Sequence, residues 1–257
     1  MCLILLVYKI QSMKKIAIVI PTYNEVENIF KLTNKILNIL PNTNIYVVDD
    51  TKDFQIPIKF KDKRINYFLR KNKKGRGSAV LYGLKKALKD KNNELFLEMD
   101  ADFSHSPDEI IKNIKVFNKK KLDLLIASRY LKKSQIINWS IFRKLFSKLS
   151  NFLVNLVLDI GVTDHTNGFR IYSRRSINLI IKKCGKIADG FIILSEILLI
   201  IKLNNLKIDE VPTVFLNRKR GKSSVNTKLI VESLIGVVKL YYIKKKFLTL
   251  SKAFKKI

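Results

Sequence analysis

Two aspartates, Asp100 and Asp102, stand one residue apart at the close of an apolar run in the segment LFLEMDADFSHSP. Alternate side chains of an extended segment project to the same side, so both carboxylates can face one cation. Mg2+ or Mn2+ held by one or two carboxylates, with substrate phosphates completing the shell, is the arrangement such a pair serves. Aspartate pairs also build ordinary turns; the position of this one at a strand end marks it as a site. A second group is Pro21-Thr22-Tyr23-Asn24-Glu25 together with Asp49-Asp50, again at strand ends. An aromatic ring, carboxylates and open backbone groups in one crevice suit the stacking and recognition of a nucleotide base. PTYNE alone serves equally well as a helix cap.

The elements that must position these groups follow from the pattern of the chain. From residue 16 onward, short apolar runs alternate with longer amphipathic stretches, the signature of strand and helix in an α/β, largely parallel sheet. Strands are predicted over 16–20, ended by Pro21, and over 45–48, 66–69, 95–99 and 122–127. Helices are predicted over 25–40, capped by Asn24, over 78–89, entered through Gly75-Arg76-Gly77, and from Pro107 to 118. Residues 51–64 hold Pro57 and no helical period, so they read as an irregular loop. Five strands thus deliver polar residues at their carboxyl ends, where open α/β sheets bind ligands.

The second half differs. Trp139, Phe142, Leu145, Phe146, Leu149, Phe152, Leu153 and Leu156 recur at helical spacing, which predicts a helix over 138–158 with a broad apolar face. Such a helix packs on the core or lies in a membrane interface; core packing is the favoured reading. A strand over 169–172, helices over 174–182 and 191–203, a strand over 207–215 and an apolar helix over 229–247 follow. Residues 14–225 read as one catalytic domain and 226–257 as a C-terminal apolar helix with a basic tail. Residues 1–13 read as an extension outside the core, with Met13 an alternative start.

Composition narrows the class. A chain of 257 residues with 47% hydrophobic and 28% charged residues builds a real core, which excludes a disordered tail or a disulfide-stapled miniprotein. Cys2 and Cys184 form no CxxC or Cys/His cluster, arguing for a reducing compartment and against structural zinc. A net charge of +29 attracts phosphates on nucleic acid, anionic lipid or nucleotide. The charge is too diffuse to choose among them, and codon bias in an A/T-rich genome would produce the same lysines. No run reaches the roughly 18–20 apolar residues that span a bilayer. Residues 1–8, MCLILLVY, are too short to span, and their first lysine follows the apolar run, unlike a signal peptide.

The ordered series IVIPTYNEVENI, VVDD, LRKNKKGRGSAVLYGLKKA, MDADFSHSPDEI, ASRY, DHTNGFRIYSR and EVPTVFLNRKRGKSS resembles family 2 inverting glycosyltransferases. It is most similar to the dolichyl-phosphate mannose synthase group, over about residues 15–240. The resemblance implies a GT-A fold with a mostly parallel central sheet flanked by helices, a nucleotide-sugar donor, a divalent metal and a polyprenyl phosphate acceptor. It implies that Pro21, Tyr23, Glu25, Val48 and Asp50 hold the nucleoside, while Asp100, Ala101 and Asp102 meet the diphosphate and its metal. It further implies that Arg129 binds near the transferred sugar or acceptor, that Arg143 and Ser147 grip the acceptor phosphate, and that Arg218 closes over the donor.

The acceptor makes chemical sense. A sugar hydroxyl must lose a proton to attack and so needs a general base. A phosphate monoester, with a second pKa of about 6, is already largely a nucleophile at neutral pH. It needs cations to hold it in line with the anomeric carbon, and guanidinium groups suit phosphate better than lysine does. Arg129 and Arg143 fit that need, and the metal would stabilise charge on the leaving diphosphate.

Some positions depart from the family pattern. Thr51-Lys52-Asp53 replaces the common Gly-Ser after Asp-Asp. Ser224 stands where the family often has a donor-binding lysine, with Lys219 or Lys222 as its substitute. Thr166-Asn167-Gly168-Phe169 replaces Thr-Gly-Ser-Phe. His105 and His165 read as supporting or surface groups. Glu196 stays open between a site-facing role and a structural ion pair, as does Asp164, and neither enters the core site.

The expectation is therefore an inverting, metal-dependent transferase that moves a hexosyl group to a polyprenyl phosphate, with GDP-mannose the leading donor and a UDP-sugar next. It is expected in the cytoplasm, peripheral on the cytoplasmic face of a membrane. The helices over 138–158 and 229–247 and a lysine-rich surface would meet anionic lipid, with or without a membrane-embedded partner. A hydroxyl acceptor is the alternative, making Asp164 or Glu196 indispensable and Arg143 dispensable. A nucleic-acid-binding protein would show steeply salt-dependent affinity, but that reading gives the Asp100-x-Asp102 and PTYNE elements no role, so no nucleic-acid partner is expected.

Overall fold

The computed structural model describes residues 15–51, 60–71, 75–187, 190, 192–217 and 227–254. The expectations for residues 1–13, Arg218, Lys219, Lys222 and Ser224 lie outside them.

Strand β1 (Lys15–Thr22) is buried along almost its whole length and pairs in parallel with β2 (Thr43–Asp49) and β4 (Asn93–Glu98). It must be apolar on both faces because helices cover both. Ile16, Ile18 and Ile20 meet α1 (Val26–Ile39) and α3 (Ile110–Lys120), whereas Ala17 and Val19 face α2 (Arg76–Leu88). Helix α1 turns Ile29, Leu32, Thr33, Ile36 and Leu37 inward, the spacing of one helical face. Gly83 lets α2 lie tightly on the sheet, since a Cβ there would collide with Val19.

Pro21 does not end β1 as expected. Pairing with β4 stops at Val19 and Glu98, while pairing with β2 continues through Pro21 and Thr22. The Val19 carbonyl faces β4 and the Thr22 carbonyl faces β2. By alternation the Pro21 nitrogen faces the side where the ladder has ended, so no hydrogen bond is lost. Asn24 is also not the cap: it turns the chain with φ 57°, and Glu25 occupies the N-cap position.

With β3 (Ile65–Leu69), β5 (Leu124–Ser128), β7 (Arg170–Ser173) and β8 (Ile208–Pro212), the sheet has seven strands in the order β3-β2-β1-β4-β7-β5-β8. All pairings are parallel except those of β7, which runs antiparallel between β4 and β5. Strand order reverses between β1 and β4, which opens a ligand crevice beyond their carboxyl ends. The strand expected over 207–215 is broken at Thr213. That buried residue donates from its hydroxyl to Glu109 and accepts from the Gln135 amide. The chain then enters a second, two-stranded sheet of β6 (Gln135–Ile137) and β9 (Val214–Leu216).

Helix α4 (Ile141–Leu158) begins later than predicted, because Ser140 caps it by accepting from the Arg143 amide and Asn138, with φ 62°, turns the preceding chain. The favoured expectation of core packing is wrong for most of it. Only Asn151 and Leu158 are buried, and Phe142 is 86% exposed. The helix does not lie on the main sheet; α7 (Thr227–Phe254) packs along it instead. Helices α5 (Arg174–Lys183) and α6 (Ile192–Leu203) complete the second face, with α6 buried nearly all round between α5 and α7. Among the described residues no helix is long and apolar enough to cross a membrane.

Candidate active site

Three groups of side chains gather at the carboxyl ends of the strands. The first lies after β1 and β2. Pro21 and Val48 face each other in the β1–β2 register and are buried, so they form the floor, whereas Tyr23 is 41% exposed at the rim. Glu25 accepts from Asn28 Nδ2 at 2.5 Å. Asp50 is held by Arg70 through two bonds of 2.6 Å, both side chains being buried or nearly so. Asp49 organises the loop rather than the crevice: it accepts from the Thr51 amide and hydroxyl at 2.8 and 2.6 Å and from the Tyr67 hydroxyl at 2.8 Å. Burial and this carboxylate together push the Tyr67 phenol up.

The second group is the aspartate pair after β4. Asp100 and Asp102 are partly exposed, with Ala101 buried between them. Asp102 accepts from the Ser104 amide and hydroxyl at 3.0 and 2.6 Å. Arg76, from the first turn of α2, donates to Asp100 at 2.7 Å and lies 3.6 Å from Glu98, which is fully buried. A Cβ at position 168 would fall on the Arg76 guanidinium, so Gly168 makes the space for it. Burial works against the Arg76 charge, yet Asp100 and Glu98 hold its pKa above the ordinary value. Burial raises that of Glu98.

His105 ties this group to the third. Its Nδ1 accepts from the Asp100 amide at 3.4 Å, and its Nε2 meets Asn167 Oδ1 at 2.7 Å. Asn167 spends its own NH2 on the Ala127 carbonyl, so Oδ1 is the face left for His105. The ring is therefore neutral with its proton on Nε2. Burial, with Phe169 and Phe215 against the ring, lowers its pKa. This is the supporting role expected of it.

The third group is centred on Arg129 at the end of β5. Its Nε and Nη2 donate to Asp164 at 2.8 Å each, its amide donates to the same carboxylate at 3.0 Å, and Nη2 also reaches the Thr166 hydroxyl at 2.7 Å. Asp164 further accepts from the Asn167 amide at 3.0 Å. Burial would raise this carboxyl, but Arg129 and these bonds outweigh it and hold it low. Behind it, Glu210 accepts from the Thr163 and Asp164 amides at 2.7 and 3.0 Å. Of the two roles left open for Asp164, the structure shows the ion pair, and its partner is Arg129.

Trp139 joins Arg129 to Arg143. The Arg129 guanidinium lies 5.6 Å and that of Arg143 3.9 Å from the centre of the indole ring. The Trp139 Nε1–H is buried and meets no acceptor among the described residues. Arg143 also donates to Asn217 at 3.2 Å, and Ser147, one turn on, accepts from the Tyr130 hydroxyl at 2.5 Å. Strand β9 draws these pieces together: Leu216 donates to the Ser104 carbonyl, Asn217 to that of Ile137, and Phe215 packs on both His105 and Trp139. An unbroken series of contacts runs from Asp50 through Arg70, Gly75, Arg76, Asp100, His105, Asn167, Asp164, Arg129 and Trp139 to Arg143.

Sequence reasoning missed Arg70, Arg76, Trp139 and Asn167. Only two carried a signal: Arg76 lies between two glycines at a helix start, and Trp139 is the single tryptophan. Glu196, left open before, is buried and accepts from the Gly185 amide at 3.0 Å.

The donor set suits a hard divalent ion. Two aspartates supply oxygen, and among the described residues no cluster of three or more His, Cys, Asp or Glu could cage a metal unaided. Such a pair fits an ion whose shell a phosphate ligand completes, as Mg2+ favours.

Residues 17–180 match the family described as glycosyl transferase family 2. The chain is 35% identical over 234 residues to a dolichol-phosphate mannosyltransferase from Pyrococcus furiosus, covering 88% of this chain and 63% of that protein. It is 26% identical over 233 residues to an undecaprenyl-phosphate mannosyltransferase from Micrococcus luteus, covering 88% and 93%. Among solved structures, glucosyl-3-phosphoglycerate synthase from Mycobacterium tuberculosis, in complex with Mn2+, UDP and glucosyl-3-phosphoglycerate, superposes with a TM-score of 0.61 at 14% identity, over 92% of this chain and 81% of that one. The shared architecture is the GT-A fold.

Proposed function

The chain belongs to glycosyl transferase family 2, and from that premise we propose that it transfers a hexosyl group, with inversion, from a nucleotide-diphosphate sugar to a polyprenyl phosphate at a membrane surface. Mannose is the favoured sugar and GDP-mannose the favoured donor, because the two relatives above are named as mannosyltransferases acting with a polyprenyl phosphate. A UDP-sugar is the second reading, favoured by the solved neighbour that holds UDP.

The observation that carries the acceptor reading is the cluster of Arg129, Arg143 and Trp139 at the start of α4. Two guanidinium groups lie against one indole ring, and its buried N–H meets no acceptor among the described residues. An anion with several oxygens answers both features. The rest of α4 presents Phe142, Leu145, Phe146, Leu149, Phe152 and Leu156 outward. A headgroup held at Arg143 would therefore have its lipid tail beside an apolar surface, and nearby lysines would meet anionic lipid.

In the reaction, a phosphate oxygen of the acceptor forms a bond to the anomeric carbon as the bond to the donor diphosphate breaks. The electron pair leaves with the nucleoside diphosphate. Arg129 and Arg143 hold the attacking phosphate in line, and no general base is required. A hydroxyl acceptor would need one, and the two candidates are committed elsewhere: Asp164 to Arg129, and Glu196 to the Gly185 amide. Tyr23, Glu25 and Asp50 would frame the nucleoside. Asp100 and Asp102 would hold Mg2+ or Mn2+, which when bound supplies positive charge against the leaving diphosphate.

Incubation with GDP- and UDP-sugars, polyprenyl phosphate and Mg2+, alongside Asp102→Asn and Arg143→Ala, tests this. Transfer to the lipid phosphate that both substitutions abolish is expected. Transfer to a glycan or lipid hydroxyl that survives Arg143→Ala would replace the reading with the hydroxyl alternative.

A further inference from the structure

We propose that Arg76 sets how tightly the aspartate pair takes its divalent ion, by holding Asp100 in an ion pair that the metal must share or break. The proposal rests on the reading of Asp100 and Asp102 as the metal ligands. Arg76 is placed for this by three features. It leaves the first turn of α2 between two glycines, its Nε lies 2.7 Å from Asp100 Oδ1, and Gly168 supplies the space its guanidinium occupies.

An arginine at this point has two effects that act in the same direction. It neutralises one of the two carboxylates the ion needs, and it adds a positive charge beside a divalent cation; both weaken binding of the metal alone. Glu98 moderates the effect. It is fully buried, 3.6 Å from the other side of the same guanidinium, so it draws Arg76 back from Asp100. A nucleoside diphosphate reverses the balance, because its negative charge welcomes both the ion and the arginine. The consequence is coupling: the bare site holds metal weakly, and metal and diphosphate load together.

The test is a Mn2+ titration by calorimetry on the full chain, with and without a nucleoside diphosphate. Removing Arg76 alone strands Glu98 as a buried carboxylate and can unfold the protein, so Arg76→Met is also made in a Glu98→Gln background. Without nucleotide, Arg76→Met/Glu98→Gln is expected to bind Mn2+ about tenfold or more tightly than Glu98→Gln, the scale of one like charge removed beside a divalent ion. The gain in Mn2+ affinity on adding diphosphate should shrink in the same variant. Equal or weaker Mn2+ binding after loss of Arg76, with binding still abolished by Asp102→Asn, overturns this proposal alone. Wild-type Mn2+ affinity that survives Asp102→Asn overturns the reading of the aspartates as metal ligands, and the proposal with it.

Discussion

Arg129 and Asp164 form a two-pronged ion pair in which both side chains are buried, and Asp164 accepts from the Arg129 amide as well. The carboxylate thus fixes the backbone and the head of the same residue. Asp164→Asn would leave a guanidinium buried without its counter-charge, at a cost of about 3–5 kcal/mol, read as a lowered unfolding midpoint. The sign with pH follows from the depressed pKa of Asp164. Its stabilisation is complete above the unfolded carboxyl value of about 3.9 and fades as pH falls through the lower folded value. Wild type and Asp164→Asn should therefore differ most near neutrality and converge in acid.

Trp139 is expected to act on the acceptor and not on the donor. Trp139→Leu removes the surface shared by two guanidinium groups, each such contact contributing about 0.5–2 kcal/mol. The acceptor KM should rise by about tenfold or more while the donor KM stays within about twofold. Trp139→Phe keeps the ring and loses the N–H, so it should fall between the two. Equal changes in both KM values would remove Trp139 from acceptor binding.

Gly168→Ala should alter the metal end of the site from a distance. The new methyl group would occupy the place of the Arg76 guanidinium and force it off Asp100. Overpacking of this kind costs about 1–3 kcal/mol, and a thermal melt would show it. Mn2+ should then bind more tightly, as on loss of Arg76, whereas Gly161→Ala, strained by a φ of 84° but with nothing within 4 Å of its Cβ, should lower the melt and leave Mn2+ affinity alone.

The outer face of α4 should govern attachment to lipid. Phe142, Phe146 and Phe152 are 86%, 57% and 60% exposed. Burying one such ring in an apolar phase yields about 1.5–3 kcal/mol. Replacing all three with serine should cut partition into anionic vesicles by more than tenfold with the melting temperature nearly unchanged. Unaltered sedimentation with vesicles would count against membrane docking through this helix.

The placement of the aspartate pair and the PTYNE segment at strand ends was legible because each closes an apolar run. The direction of β7 was not legible. A strand of four residues, three of them buried, reads the same whether it runs up or down, and only pairing with Glu98 on one side and Ile126 on the other reveals the antiparallel insertion. The role of Asp164 was left open for a related reason: its meaning comes from Arg129, 35 residues earlier. Arg76 depends in the same way on Asp100 and Gly168. The 138–158 segment declared its amphipathic period plainly, but a period says only that one face is apolar, not what covers it. Broken pairing beside Pro21 and the switch of sheets at Thr213 were likewise set by neighbours distant in the chain.

Helix α4 holds Arg143 and Ser147 on one side and its phenylalanines on another, within a single rigid rod. Under the proposed function, a protein seated by those phenylalanines meets its acceptor in two dimensions. Turnover would then follow the mole fraction of lipid phosphate in the surface, not its amount per volume of suspension. Diluting the leaflet with inert lipid would slow the enzyme even as the total quantity of substrate stays fixed.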